Sequence, residues 1–284
     1  MKIDSICICG AGTMGSGIAQ VAAASGFSVL LFDVDPSVLA KAERLMKDRL
    51  HALVEKGRMT AHEEAGILGR IHFGNKAEEC RADLVIEAIV EDLEVKVSLF
   101  KRLAEINTAE AIFATNTSSL SVSRIAAGVP RPERFIGMHF FNPAPVMKLV
   151  EVVRTENTLP DIVQVIGVVV QKMGKTPVVC KDSPGFIVNR VARPFYIESL
   201  RLVEDGIAAM EQVDTLLEAT GFRMGPFRLM DLIGNDVNYA VSGSVYQQLG
   251  EPERLKPSPL QKEKVERGEL GRKAGRGYYI YNRE

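Results

Sequence analysis

The sequence of 284 residues has no tryptophan and only four cysteines: Cys7, Cys9, Cys80 and Cys180. Their spacing is not that of a metal-binding motif, so the sequence predicts no metal site. Cys7 and Cys9 alternate with isoleucines in an apolar segment, which predicts two buried thiols on a strand. Free thiols of this kind are typical of a reducing compartment, so we expect a cytoplasmic protein.

Long apolar runs and an excess of one charge are also missing. No apolar stretch approaches the about 18 residues that a membrane span needs, and the first residues lack the apolar core of a signal peptide. The 35 basic and 36 acidic residues leave a net charge of −1. Such a balance provides no overall field for nucleic acid or an anionic membrane, so we expect neither as a partner.

The pattern of apolar residues changes near residue 184. Before it, strand-like and helix-like segments alternate, as in a parallel sheet built from βαβ units. After it, the pattern predicts helices at Val188–Glu204, Met210–Ala219 and Met230–Leu249, and one short strand at Tyr278–Tyr281. We therefore predict an α/β fold: a Rossmann-like doubly wound sheet with a helical hairpin insertion in residues 1–184, and a second, all-α domain in residues 185–284.

A glycine-rich turn matches the dinucleotide fingerprint with the residues Gly10, Ala11, Gly12, Thr13, Met14 and Gly15. The turn follows a predicted strand, opens a predicted helix, and is followed by Asp33 at the end of the next strand. A carboxylate there would accept hydrogen bonds from ribose hydroxyls and repel a 2′-phosphate, so we predict NAD rather than NADP. The alternative is a strand–turn–helix that needs its glycines for packing only.

A second feature is a histidine and a glutamate within two apolar runs. His139 ends one predicted strand and Glu151 lies within the next, with Pro145 midway between them. A histidine in an apolar strand is commonly a core residue, but a carboxylate in such a run is costly to bury without a partner. If the strands fold back at Pro145, the two side chains lie opposite each other with Cβ atoms about 5 Å apart. We interpret them as a general base and its orienting carboxylate.

Two polar positions could complete such a site. Ser118 lies in a polar segment after a predicted strand, where open α/β sheets bind ligands, although this segment could also cap a following helix. Asn189 lies near the start of the first helix of the second domain, where an asparagine is common for structural reasons.

The chain resembles the 3-hydroxyacyl-CoA dehydrogenase family, and most closely its short bacterial 3-hydroxybutyryl-CoA members, over essentially its whole length. The stretch His139–Glu151, which reads HFFNPAPVMKLVE, is highly specific to this family and its near relatives. The resemblance implies oxidation of an (S)-3-hydroxyacyl-CoA with NAD, in a homodimer or an oligomer built from dimers. It assigns NAD binding to residues 1–184, and substrate binding and dimerisation to residues 185–284. It implies that His139 is the general base, that Glu151 is its partner, and that Ser118 and Asn189 contact the substrate oxygen.

The resemblance also implies a set of NAD contacts. Besides the glycine-rich turn and Asp33, they are Ala88, Glu91, Lys96, Asn116, Ser118, Asn142 and Lys273. Lys56, on the helix after Asp35, is a candidate for binding the CoA phosphates, although charges on such a helix commonly only face solvent.

Two other functions remain open from the residues alone. A sugar-acid dehydrogenase of the same superfamily would keep the fingerprint and the His139–Glu151 pair. A protein that keeps the fold without turnover, such as a crystallin or a redox sensor, would bind NAD without needing a buried base.

Overall fold

The computed structural model describes residues 2–281 and divides the chain into two compact units, Met1–Ser183 and Pro184–Glu284. The predicted division after residue 184 lies one residue from this boundary, and the roles assigned to the two domains stay predictions. Among residues 2–281, no helix is long and apolar enough to cross a membrane.

The first unit is an α/β structure. Its strands are β1 Ser5–Cys9, β2 Ser28–Phe32, β3 Ile71–Gly74, β4 Leu84–Glu87, β5 Ile112–Thr115, β6 Phe135–Phe140, β7 Leu149–Arg154 and β8 Thr176–Lys181. Its helices are α1 Thr13–Ala24, α2 Pro36–Glu55, α3 Ala61–Leu68, α4 Leu93–Ile106, α5 Val122–Ala127 and α6 Pro160–Lys172. Helices α2 and α3 form the predicted hairpin insertion.

All eight strands form one sheet in the order β3-β2-β1-β4-β5-β6-β7-β8. The first six strands run parallel, β7 is antiparallel to β6, and β8 is parallel to β7. The predicted fold class, a Rossmann-like doubly wound sheet followed by a helical domain, is therefore confirmed. Strands β1, β4 and β5 end at the same edge, where open sheets of this kind bind ligands.

The core of this unit lies between the sheet and the helices that flank it. Alternate residues of β1, such as Ile6 and Ile8, pack in one buried cluster with Ile18 and Ala22 of α1. Burial of this apolar surface is the main stabilising contribution. Helix α2 begins where the sequence predicts, because the Asp35 side chain accepts a hydrogen bond from the Ser37 amide and Pro36 takes the first helical position.

The second unit is helical. Its helices are α7 Val188–Glu204, α8 Met210–Ala219, α9 Pro226–Ile233, α10 Asn235–Gln248 and α11 Pro259–Glu266. Buried side chains of α7, α8 and α9, among them Tyr196, Leu200, Val213 and Phe227, form its largest apolar cluster.

Two expectations about elements are wrong, and one strand was not predicted. The helix predicted over 230–249 is two helices, because Gly234, with φ of 105°, separates α9 from α10. The predicted strand at Tyr278–Tyr281 is irregular, since the backbone amides of Tyr278 and Tyr279 donate to the Asp231 carboxylate rather than to a strand. Strand β3 was not predicted, because the exposed His72 interrupts its apolar residues.

Candidate active site

The glycines of the turn between β1 and α1 serve two different purposes, packing and ligand binding. Gly10 has φ of 103°, and a Cβ there would lie 2.6 Å from the Ala88 carbonyl oxygen. A Cβ on Gly15 would overlap the Gly10 carbonyl oxygen. Packing thus explains Gly10 and Gly15. Apart from its chain neighbours, however, no atom among residues 2–281 lies within 4 Å of the position of a Gly12 Cβ. Gly12 leaves space for a pyrophosphate at the N-terminus of α1.

The remaining parts of the fingerprint lie beside this turn. Thr13 and Met14 are the first two residues of α1. Asp33 follows β2 and is half-buried, and its Oδ2 accepts a hydrogen bond from the Ala11 amide at 2.8 Å. Its Oδ1 accepts another from the Asp35 amide at 3.0 Å. Asp33 therefore shapes the turn itself, and its carboxylate lies beside that turn, as the fingerprint requires. These residues fit NAD.

His139 and Glu151 are direct neighbours across the β6–β7 ladder, as the sequence predicts. His139 Nδ1 lies 2.7 Å from Glu151 Oε2, and the two side chains are 7% and 0% exposed. The Phe141 ring packs against the imidazole with a centroid distance of 4.5 Å. In the tautomer that donates from Nδ1 to the carboxylate, Nε2 carries the lone pair that a general base requires.

Lys175 holds the turn that joins these two strands. This buried lysine precedes β8, and its Nζ donates to the carbonyl oxygens of Ala144 at 2.6 Å and Met147 at 2.8 Å. A third, longer hydrogen bond reaches the Pro145 carbonyl oxygen at 3.3 Å. Burial lowers the pKa of Lys175. The sequence analysis did not identify Lys175, because its partners are backbone atoms.

Glu91 organises the polar segment after β5. Its Oε1 accepts hydrogen bonds from the Thr117 hydroxyl at 2.5 Å, the Ser118 amide at 3.1 Å and the Ser119 hydroxyl at 2.9 Å. Burial raises the pKa of Glu91, but the Lys96 charge and these hydroxyls outweigh this effect and hold the pKa below its usual range. The segment containing Ser118 is thus tied to the loop after β4.

Asn116 and Lys96, both predicted NAD contacts, make polar contacts with other residues of the first unit. The Asn116 side-chain oxygen accepts a hydrogen bond from the Phe140 amide at 2.9 Å, which links this segment to the strand of His139. Lys96 is only 1% exposed, and its Nζ lies 2.5 Å from Glu87 and 3.1 Å from Glu91.

Glu87 is a site residue that the sequence analysis missed. It is fully buried at the end of β4, and its other carboxylate oxygen accepts a hydrogen bond from the Thr115 hydroxyl at 2.7 Å. The signal that could have found it is the one that identified Glu151, namely a carboxylate within an apolar strand. Through Lys96, Glu87 positions Glu91.

A cavity of about 460 Å³ brings together three predicted residues, Thr13, Asn142 and Lys56. Gln20 and Arg49 also line it and were not predicted to do so. Arg49 and Lys56 give one side of this cavity a positive charge that suits a phosphate.

Two predicted residues, Asn189 and Lys273, belong to the second unit. Asn189 is the second residue of α7, and its carbonyl oxygen accepts a hydrogen bond from Arg193 at 3.0 Å. Lys273 forms an ion pair with Asp236 at 2.6 Å. The roles of both residues stay predictions.

Comparison with known protein families shows to which family the chain belongs. Residues 5–183 match the model described as "3-hydroxyacyl-CoA dehydrogenase, NAD binding domain", and residues 185–281 match the C-terminal domain of the same enzymes. The chain belongs to the 3-hydroxyacyl-CoA dehydrogenase family. This is a family of NAD-dependent dehydrogenases, so the predicted family, enzyme class and cofactor are confirmed.

Individual relatives agree with this assignment. A 3-hydroxyadipyl-CoA dehydrogenase of Escherichia coli is 46% identical over the whole chain, which spans 60% of that relative's length. A probable 3-hydroxybutyryl-CoA dehydrogenase of Deinococcus radiodurans is 42% identical over 96% of this chain and 99% of its own. The crystal structure of (S)-3-hydroxybutyryl-CoA dehydrogenase from Ralstonia eutropha superposes with a TM-score of 0.95 at 37% identity, covering 99% of this chain and all of its own.

Proposed function

We propose that the protein interconverts (S)-3-hydroxybutyryl-CoA, or another short-chain (S)-3-hydroxyacyl-CoA, and acetoacetyl-CoA or its analogue with NAD. The observation that carries this proposal is the buried pair of His139 and Glu151, with 2.7 Å between Nδ1 and Oε2, in a unit that belongs to the family's NAD-binding domain. Two relatives that the chain covers almost completely bear the name "Probable 3-hydroxybutyryl-CoA dehydrogenase". A protein that only bound NAD would not need such a pair.

The proposed role of the pair is to move one proton. Bound NAD would accept the hydride from the C3 carbon, which leaves the hydroxyl proton to be removed as the carbonyl forms. His139 Nε2 takes this proton, and the negative charge of Glu151 stabilises the imidazolium that results. In the reverse direction the same imidazolium protonates the oxygen of the reduced ketone.

Other residues are proposed to bind and orient the substrate. Ser118 and Asn189 would donate hydrogen bonds to the C3 oxygen, which stabilises charge as it develops there. Lys56 would contact a CoA phosphate, and the cavity that it lines with Arg49 supports this proposal. The (S) configuration, the homodimer and the cytoplasmic location rest on the resemblance and the composition, and stay predictions.

The test is NADH oxidation, followed by its absorbance, with acetoacetyl-CoA and in parallel with free acetoacetate. We expect turnover of the thioester and little of the free acid, because the free acid lacks the CoA phosphates. Turnover of free hydroxy or keto acids at a similar kcat/KM would instead favour the sugar-acid dehydrogenase. NADH binding without turnover of either compound would favour a protein that keeps the fold without catalysis.

A further inference from the structure

Three cysteines from two distant segments of the chain meet beside the strand that leads into the glycine-rich turn. Cys7 and Cys9 lie on the same face of β1, and their sulfur atoms are 3.9 Å apart. Cys80 lies on the connection from β3 to β4, and all three sulfur atoms lie within 4.8 Å of one another. All three side chains are fully buried.

The geometry of this cluster is that of a metal-ligand set. Metal–sulfur bonds to Zn²⁺ are about 2.3 Å long, so three sulfurs around one ion lie about 4 Å apart. The separation of Cys7 and Cys9 already has this value, and closing the triangle to Cys80 needs movements below an ångström. Because every donor is sulfur, the set suits soft cations and not Mg²⁺ or Ca²⁺, which prefer oxygen.

The position of Cys80 gives an ion a way in. The connection that carries it is a single 3-10 turn, Ala77–Glu79, in which Glu78 and Glu79 are exposed directly before the buried Cys80. Cys80 therefore lies next to exposed chain, and the Asn107 side chain at the end of α4 holds its carbonyl oxygen at 2.7 Å.

We propose that Cys7, Cys9 and Cys80 form a binding site for one thiophilic, closed-shell metal ion, of the class of Zn²⁺, Cd²⁺ or Cu⁺. Each thiol that coordinates the ion releases its proton to solvent. The site is separate from the His139–Glu151 pair. It adjoins the glycine-rich turn, since Cys9 directly precedes Gly10.

The test is titration of the reduced full-length protein with Cd²⁺, followed by the ultraviolet charge-transfer absorption of cadmium–thiolate bonds. Zn²⁺ competition and a parallel Cu⁺ titration distinguish divalent from monovalent ions. We expect one ion per chain. Cys80→Ala should weaken binding by about a hundredfold or more, since loss of even an outer-shell partner costs about 10–100-fold. The matched control is Cys180→Ala, which removes the half-buried fourth thiol and should leave the affinity unchanged.

Several outcomes would overturn the proposal. They are the absence of absorption even when the protein is refolded with the ion, undiminished binding by the Cys80 variant, and loss of binding in the Cys180 variant. Circular dichroism checks the folding of each variant, and Cys80→Ser replaces an alanine variant that fails to fold. X-ray absorption of the wild-type protein loaded with Zn²⁺ gives a test without substitution, since it should find about three sulfur neighbours at about 2.3 Å.

Discussion

At the scale of single residues, the pairing of His139 with Glu151 explains how two polar side chains are buried in an apolar core. A fully buried carboxylate is costly unless a hydrogen-bonded partner compensates it, and the imidazole at 2.7 Å is that partner. The same logic applies to Glu87, which is buried against Lys96. Both carboxylates hold their partners firmly in place, because hydrogen bonds are electrostatically stronger away from water.

The catalytic role of His139 is tested by His139→Gln, which keeps a polar side chain of similar size but cannot take the proton. We expect kcat to fall by about 10²–10⁴-fold, the usual contribution of a general base, while the Kd for NADH stays close to that of the wild type. Stopped-flow turnover and NADH fluorescence titration measure the two quantities. Retained turnover would remove His139 from the mechanism.

Cofactor choice should depend on the charge of Asp33. Asp33→Asn keeps an acceptor for the Ala11 amide, now held at 2.8 Å, but removes the negative charge that would face a 2′-phosphate. We expect the preference for NAD over NADP to narrow by about tenfold, equivalent to about 1.4 kcal/mol. The ratio of kcat/KM for the two cofactors measures this change. An unchanged ratio would place the ribose away from Asp33.

At the scale of elements, the β6–β7 hairpin brings the catalytic pair together, and its turn depends on a lysine from outside the hairpin. The Lys175 ammonium group donates hydrogen bonds to carbonyl oxygens of the turn. Removal of this group would leave these oxygens without a charged donor. The pattern of apolar residues predicted both strands of the hairpin and their opposition. The support by Lys175 could not be predicted, since any residue with an amine could have reached these oxygens from another part of the chain.

The substitution Lys175→Met tests this support by removing the charge while keeping the length of the side chain. We expect a loss of about 2–3 kcal/mol in the free energy of unfolding, because hydrogen bonds to a charged group are broken and the carbonyl of the buried Ala144 is left unsatisfied. Urea denaturation measures the change. Lys148→Met is the matched control, since Lys148 is an exposed lysine of the same turn and should alter stability by less than about 0.5 kcal/mol. Equal effects of the two substitutions would contradict the role given to Lys175.

At the scale of the whole molecule, both units contain carboxylates whose pKa values are held below the usual range. In the first unit, burial raises the pKa of Asp83, but hydrogen bonds from the Asp4 and Ser5 amides lower it by more. In the second unit, burial raises the pKa of Asp236, but the hydrogen bond and charge of Lys273 lower it by more. A lowered folded-state pKa stabilises the fold above the unfolded value and loses this contribution as the pH falls through the folded value.

We therefore expect the Tm to be constant above about pH 5 and to fall as the pH drops below about 4, where these carboxyl groups take up protons. Calorimetry over this range measures the fall. Asp83→Asn should lower the Tm at neutral pH and flatten its dependence at acid pH, since the group that titrates is gone. If the variant has the wild-type slope, Asp83 does not contribute.

The sequence by itself determined the fold class, the family and the NAD fingerprint, because these depend on local patterns: apolar periodicity, the glycines of one turn and a short specific motif. It also indicated that His139 and Glu151 meet, since two adjacent strands with a short turn have few ways to pair. Only the tertiary structure decided which residues from distant segments become neighbours. The Lys175 support and the three-cysteine cluster both depend on how the sheet orders its strands, and sequence spacing carries no record of that order.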